Sequence, residues 1–287
     1  MSSRSASTLL RTVVATAVAL VAFAGNSLLC RLALREQAID PFAFTALRLL
    51  AGALVLFPLL PRTERFQPFR ERAWLGGVAL FVYALAFSAA YVTLDAGVGA
   101  LLLFGAVQVT MIAAGFFAGE RLRGRQWLGA LAAIAGLVVL VLPLESGERT
   151  RDTLLMLLAG GAWGAYSLYG RKVSVARTAT ARTFVLTVPA ALVLLAWTVP
   201  DATFTTRGAV LAMLSGSVTS GLGYLVWYVA LRGHSATSAG LVQLSVPVLA
   251  ALAGVLLLDE SWTERASVAA VLTLGGIALA TTGGRRR

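Results

Sequence analysis

The chain has 287 residues, of which 58% are hydrophobic and only 13% charged, and its net charge is +11. That is about half the charged share of a soluble domain; one water-exposed globule cannot hide so much apolar surface, and lipid is the natural solvent for the excess. A single cysteine (Cys30) and a single histidine (His234) exclude a disulfide framework, a cysteine metal pair and a zinc or catalytic centre built on histidine alone, and the Lys and Arg residues sit in small clusters between apolar runs, as membrane-side loops do, rather than forming a nucleic-acid face.

In chain order, Arg4 and Arg11 precede an apolar stretch whose Ala22-Phe23-Ala24 has the look of a signal-peptidase site. The charge-free run continues to Cys30, however, and its Gly25 has a counterpart downstream, so residues 12–30 are read as a retained first helix. Eight further runs lack Asp, Glu, Lys and Arg, namely 73–94, 96–119, 126–144, 153–170, 183–200, 208–231, 235–258 and 266–284, and the run 41–61 holds one charge, Arg48. Each has roughly the 17–25 residues that cross a hydrocarbon core at about 1.5 Å per residue, and none alternates as a barrel strand would. The expectation is an all-α integral membrane protein of ten transmembrane helices.

The loops divide unevenly. Seventeen Lys and Arg residues fall on the side that holds both termini and six on the other, which places both termini in the cytoplasm.

The chain also repeats itself. Tyr91-Val-Thr-Leu is echoed by Tyr228-Val-Ala-Leu, Ala24-Gly25 by Trp163-Gly164, and Gly119-Glu120 by Asp259-Glu260; Gly136 follows Glu120 by the same 16 residues that separate Gly276 from Glu260. Two five-helix units follow, 1–145 and 146–287, and an odd number of spans per unit makes the second enter the membrane inverted. Inverted repeats of this kind recur in secondary transporters, with a substrate site between the halves.

Trp74, Trp127, Trp197 and Trp262 sit near predicted helix ends and read as interfacial anchors. Deeper aromatic residues share helix faces: Tyr83, Phe87 and Tyr91 in helix 3, Trp163 and Tyr166 in helix 6, Tyr224, Trp227 and Tyr228 in helix 8. They are candidates to line a central cavity that stacks flat ligands, or they simply fill space between helices. Asn26, Ser88, Gln108 and Gln243 are polar within spans, where an unpaired amide is costly; they either face the cavity or bond between helices. Arg48 either holds an anionic group or ties backbone carbonyls. Gly115-x-x-x-Gly119, Gly160-x-x-x-Gly164 and Ser217-x-x-x-Gly221 have helix-packing spacing. No Asp or Glu lies inside any charge-free run, which argues against proton coupling and, with the lack of a nucleophile–base pair or metal cluster, against an enzyme.

Two five-helix halves, glycines in helices 1 and 6, Pro41 followed by Arg48, Gly221-Leu-Gly223-Tyr224, and Pro247 with Glu260 thirteen residues on resemble EamA-type transporters of the drug/metabolite transporter superfamily. The first half departs from the pattern, with Val107-Gln108 where proline is usual. The resemblance implies a bacterial inner-membrane exporter of small metabolites working by alternating access, without a cofactor. Its aromatic faces are most similar to members that export aromatic or other apolar amino acids and organic cations. The expected partners are a small-molecule substrate and the bilayer, with no nucleic acid, and the chain is read as acting as a monomer. The substrate-contacting candidates are Asn26, Tyr83, Phe87, Gln108, Trp163, Tyr166, Tyr224, Trp227 and Gln243. An antiporter of phosphorylated sugars or nucleotide-sugars is the alternative; it should carry several cations within its spans, and only Arg48 qualifies. A membrane enzyme ranks third.

Overall fold

The computed structural model describes residues 3–62, 73–117, 124–141, 148–170, 173, 175–198, 202–232, 242–243 and 245–282. Glu120, the first-half counterpart of Glu260, lies outside them, as does His234. The described residues form helices joined by short turns, with a single isolated bridge between Ile39 and Phe204. The principal helices are α1 (Ser3–Arg35), α2 (Pro41–Leu56), α3 (Ala73–Ala90), α4 (Ala96–Phe117), α5 (Gly124–Val141), α6 (Glu148–Gly170), α7 (Ala176–Thr198), α8 (Thr206–Leu231), α9 (Ser245–Leu258) and α10 (Glu264–Thr282). Among the described residues, α1, α2, α3, α4, α7 and α8 are long and apolar enough to cross a membrane, and shorter apolar segments lie at Gly124–Val139 and Ser245–Leu258.

Local chemistry sets several boundaries. Asp40 caps α2 by accepting from the backbone N–H groups of Phe42 and Ala43, and Pro41 follows at the first turn, where its missing N–H has no partner to lose. Thr205 caps α8 in the same way through Gly208. Within α8 the residues Ser215–Leu222 widen into a π-helical turn, a feature that often marks functional sites.

The burial pattern is that of a protein dissolved in lipid. Leu54, Leu128, Val193, Leu256, Leu257 and Val271 point outward, while Asn26, Arg48, Ser88 and Gln108 are buried. The indole rings separate as expected: Trp74, Trp127, Trp197 and Trp262 are exposed, and Trp163 and Trp227 are buried.

Helix contacts come in matched sets. α3 packs on α6 as α8 packs on α1, α4 on α6 as α9 on α1, and α3 on α7 as α8 on α2; α2 with α7, α4 with α9, and α5 with α10 are their own counterparts. The match extends to single residues in the last of these pairs. Gly136 of α5 lies against Ala269 and Thr273 of α10, and Gly276 of α10 lies against Gly129 and Ala133 of α5. A side chain at either glycine would strike the opposite backbone, so these two residues set how closely the helices approach, the usual basis of association in lipid. Gly160 and Gly164 do the same for α6 against Leu103, Ala106 and Thr110 of α4.

Candidate functional site

Asn26, in the second half of α1, is the polar centre of the bundle. Its Oδ1 accepts from three hydroxyls of the π-helical turn, Ser215 at 2.7 Å, Ser220 at 3.2 Å and Thr219 at 3.3 Å, and its Nδ2 donates to the Tyr83 hydroxyl at 3.3 Å. The widened turn is what lets Ser215, Thr219 and Ser220 converge on one acceptor. Tyr224, beginning the next turn, donates its hydroxyl to that of Tyr83 at 3.2 Å.

Arg48 of α2 enters the same network. Its Nε donates to Ser220 Oγ at 3.2 Å and its Nη2 to the Tyr224 hydroxyl at 3.3 Å. The guanidinium carbon lies 5.2 Å from the centre of the Tyr83 ring and 4.9 Å from that of Phe87, within cation–π range. Nη1 has no partner. Gly216 lets α8 approach this closely, since a side chain there would strike the Arg48 backbone.

Around these groups lies an aromatic cluster drawn from both halves. Trp163 sits 4.9 Å from Tyr83, 4.7 Å from Tyr224 and 5.4 Å from Tyr166, between ring centres. Phe23 bridges Trp163 at 5.9 Å and Trp227 at 5.7 Å. Tyr166 shares a hydrogen bond with Thr183 of α7 at 3.2 Å. The fold thus gathers Asn26, Arg48, Tyr83, Phe87, Trp163, Tyr166 and Tyr224, with Trp227 at the edge. Here the rings pack on one another. Gln108 is buried on α4 with its Nε2 unpartnered, and Gln243 is buried as well.

A second polar cluster, missed from the sequence, closes one end of the bundle. Arg31, near the end of α1, pairs with Glu260 at 3.1 Å and Asp95 at 3.3 Å, and donates to the carbonyls of Tyr91 at 3.1 Å and Val92 at 2.8 Å. Glu260 also accepts from the Ala96 N–H at 2.8 Å, and Arg35 donates to the Leu258 carbonyl. One cation therefore ties the ends of α1 and α3 to the start of α4 and the turn before α10. Burial pushes the Glu260 carboxyl above its ordinary pKa, and the Ala96 N–H and Arg31 offset part of that rise. A charge count along the chain cannot show that Arg31 and Glu260 meet. Asp152 is a related case: it stands one residue before a charge-free run, yet α6 begins at Glu148 and buries its side chain completely, with Thr93 donating to it at 2.9 Å and Arg151 paired at 2.9 Å.

Two copies of one family model, the EamA-like transporter family, match residues 10–142 and 151–282. The chain belongs to the EamA-like transporter family. Its apolar helices and this membership make it a multi-pass membrane protein of the transporter class. Among EamA relatives it is 52% identical over 270 residues to the Pseudomonas aeruginosa protein described as Uncharacterized protein PA1977, covering 94% of each chain. It is 28% identical over 263 residues to the aromatic amino acid exporter YddG of Ancylobacter novellus, covering 87% of this chain and 90% of that one. It is 26% identical over 219 residues to a probable amino-acid metabolite efflux pump of Escherichia coli, covering 68% of this chain and 70% of the other. A solved crystal structure shares the fold with a TM-score of 0.67 at 24% identity, covering 95% of this chain and 99% of its own.

Proposed function

We propose that this EamA protein exports small metabolites bearing an aromatic or apolar group, aromatic amino acids among them, across the bacterial inner membrane by alternating access. Ten spans in two inverted halves, 1–145 and 146–287, would enclose one site between them. The observation that carries this reading is the cluster in which Tyr83 and Phe87 of one half meet Trp163, Tyr166 and Tyr224 of the other around Asn26 and Arg48. Ring faces drawn from both halves suit a flat cargo, and a buried polar centre suits its polar end. The names of the two exporter relatives point the same way.

The Arg31 cluster serves as the outer gate in this reading, because the excess of Lys and Arg in the opposite loops puts that end on the periplasmic side. With the gate shut the rings collapse onto one another, and a cargo ring replaces some of those contacts when the site fills. The test is efflux from proteoliposomes loaded with phenylalanine, tyrosine or an unrelated solute such as a sugar. Aromatic solutes leave faster than the sugar, and Trp163→Ala or Tyr224→Ala removes the difference. Equal rates for all solutes would refute the reading.

A further inference from the structure

We propose that the preferred cargo is a monoanion, a small carboxylate bearing an aromatic group and no ammonium, whose charge is completed by Arg48. This rests on the aromatic-cargo reading and narrows it. Arg48 is 1% exposed and always charged. Its polar partners are neutral hydroxyls, Ser220 and Tyr224 with Tyr83 beside them, and its Nη1 has none. Among the described residues no carboxylate pairs with it. Of the described acids, Asp95 and Glu260 hold Arg31, Asp152 holds Thr93 and Arg151, Asp40 caps α2, and Glu36 meets Arg207, while Asp259 and Glu264 lie at the two ends of the turn between α9 and α10. The Tyr83 and Phe87 faces soften the isolated cation without cancelling its charge. A buried cation normally has a counter-charge, and in a transporter the cargo can supply it.

The remaining hydrogen-bonding capacity has the same sign. Trp163 Nε1 is a buried, unpartnered donor, and its ring touches both tyrosines that flank Arg48. The nearby strong acceptor, Asn26 Oδ1, already takes three hydroxyls. Donors stand open while the acceptor is filled, so a carboxylate finds partners and an ammonium meets a like charge. A zwitterion brings both groups into the same field, and a simple cation brings only the unfavourable one.

The experiment uses the full chain in proteoliposomes at pH 7.5 and three near-isosteric solutes, phenyllactate (anion), phenylalanine (zwitterion) and phenylalaninol (cation), with leakage from protein-free vesicles subtracted. Phenyllactate should leave about tenfold faster than phenylalanine, and phenylalaninol slowest. Arg48→Gln should remove the advantage of the acid. Asn26→Asp, which brings a carboxylate to Ser220 and hence beside Arg48, should erase it by another route, so a variant that fails to fold does not leave the question open. Phenylalanine or phenylalaninol leaving as fast as phenyllactate overturns the inference and leaves the aromatic-cargo reading standing. Leakage-level efflux of all three overturns both.

Discussion

Arg31 and Glu260 are 229 positions apart in sequence and 3.1 Å apart in the fold. Their pairing joins the end of the first helix to the turn before the last and sits above the aromatic cluster at the end of the bundle. Glu260→Ala, which removes the partner of both Arg31 and the Ala96 N–H, should therefore loosen that end. Arg31 keeps Asp95 and two backbone carbonyls, so the loss is partial, about 1–3 kcal/mol. In a Cys30→Ser background, a cysteine at Ser27, buried beneath the cluster, should react faster with a membrane-impermeant thiol reagent once Glu260 is replaced. Breaking the exposed Arg207–Glu36 pair, whose side chains are 62% and 38% exposed, should leave that rate unchanged.

The same carboxyl gives the closed end a pH dependence. Burial raises the Glu260 pKa above that of a solvated carboxylate, so the closed arrangement binds a proton more readily than an arrangement in which Glu260 faces water. Its advantage is complete below the ordinary carboxylate pKa and declines as pH rises through the raised value. Labelling of Ser27→Cys, corrected for thiolate fraction, should accordingly slow as pH falls through that window, and Glu260→Gln should remove the dependence. A pH-independent rate in the protein with Glu260 intact would contradict this.

Asn26 serves four hydrogen bonds with one side chain. Asn26→Leu leaves the Ser215 and Ser220 hydroxyls to find other acceptors in a dry interior, at about 1–3 kcal/mol for each group that fails, while Thr219 keeps the Ser215 carbonyl and the Tyr83 oxygen keeps the Tyr224 hydroxyl. The variant should unfold at a markedly lower temperature in detergent, and Ser220→Ala, which deletes one donor and leaves Asn26 two others, should unfold at an intermediate one.

Much of this architecture is legible in the sequence, and the residues show why the rest is not. The all-helical build, the tandem repeat and the separation of buried from exposed tryptophans follow from the spacing of apolar residues and charges, because lipid penalises a misplaced charge within a few residues. Tyr83, Phe87, Trp163 and Tyr224 could be nominated because each shares a helix face with another ring. The hydroxyl cluster could not. Ser217-x-x-x-Gly221 reads as packing, whereas the residues that bond Asn26 are its neighbours Ser215, Thr219 and Ser220, brought round by a π-helical turn that no 3.6-residue periodicity anticipates. Arg31 and Asp152 were hidden for a related reason: the helices run past their charge-free cores, with α1 reaching Arg35 and α6 starting at Glu148.

The reciprocal glycines of α5 and α10 supply a test with an internal control. Gly136→Ala places a methyl against Thr273 and the Ala269 carbonyl, and Gly276→Ala places one against the backbone of Gly129 and Ala133. In both cases the obstacle is largely main chain, which cannot rotate aside, so the helices must separate. Each substitution should cost about 1–3 kcal/mol. Gly275, one residue away, faces open space. Gly275→Ala should be neutral or stabilise by up to about 1 kcal/mol through helix propensity alone. Thermal unfolding of the three variants in one detergent decides the matter: equal midpoints would mean that close approach at Gly136 and Gly276 does not hold α5 to α10, and the matched contacts between the two halves would then need another cause.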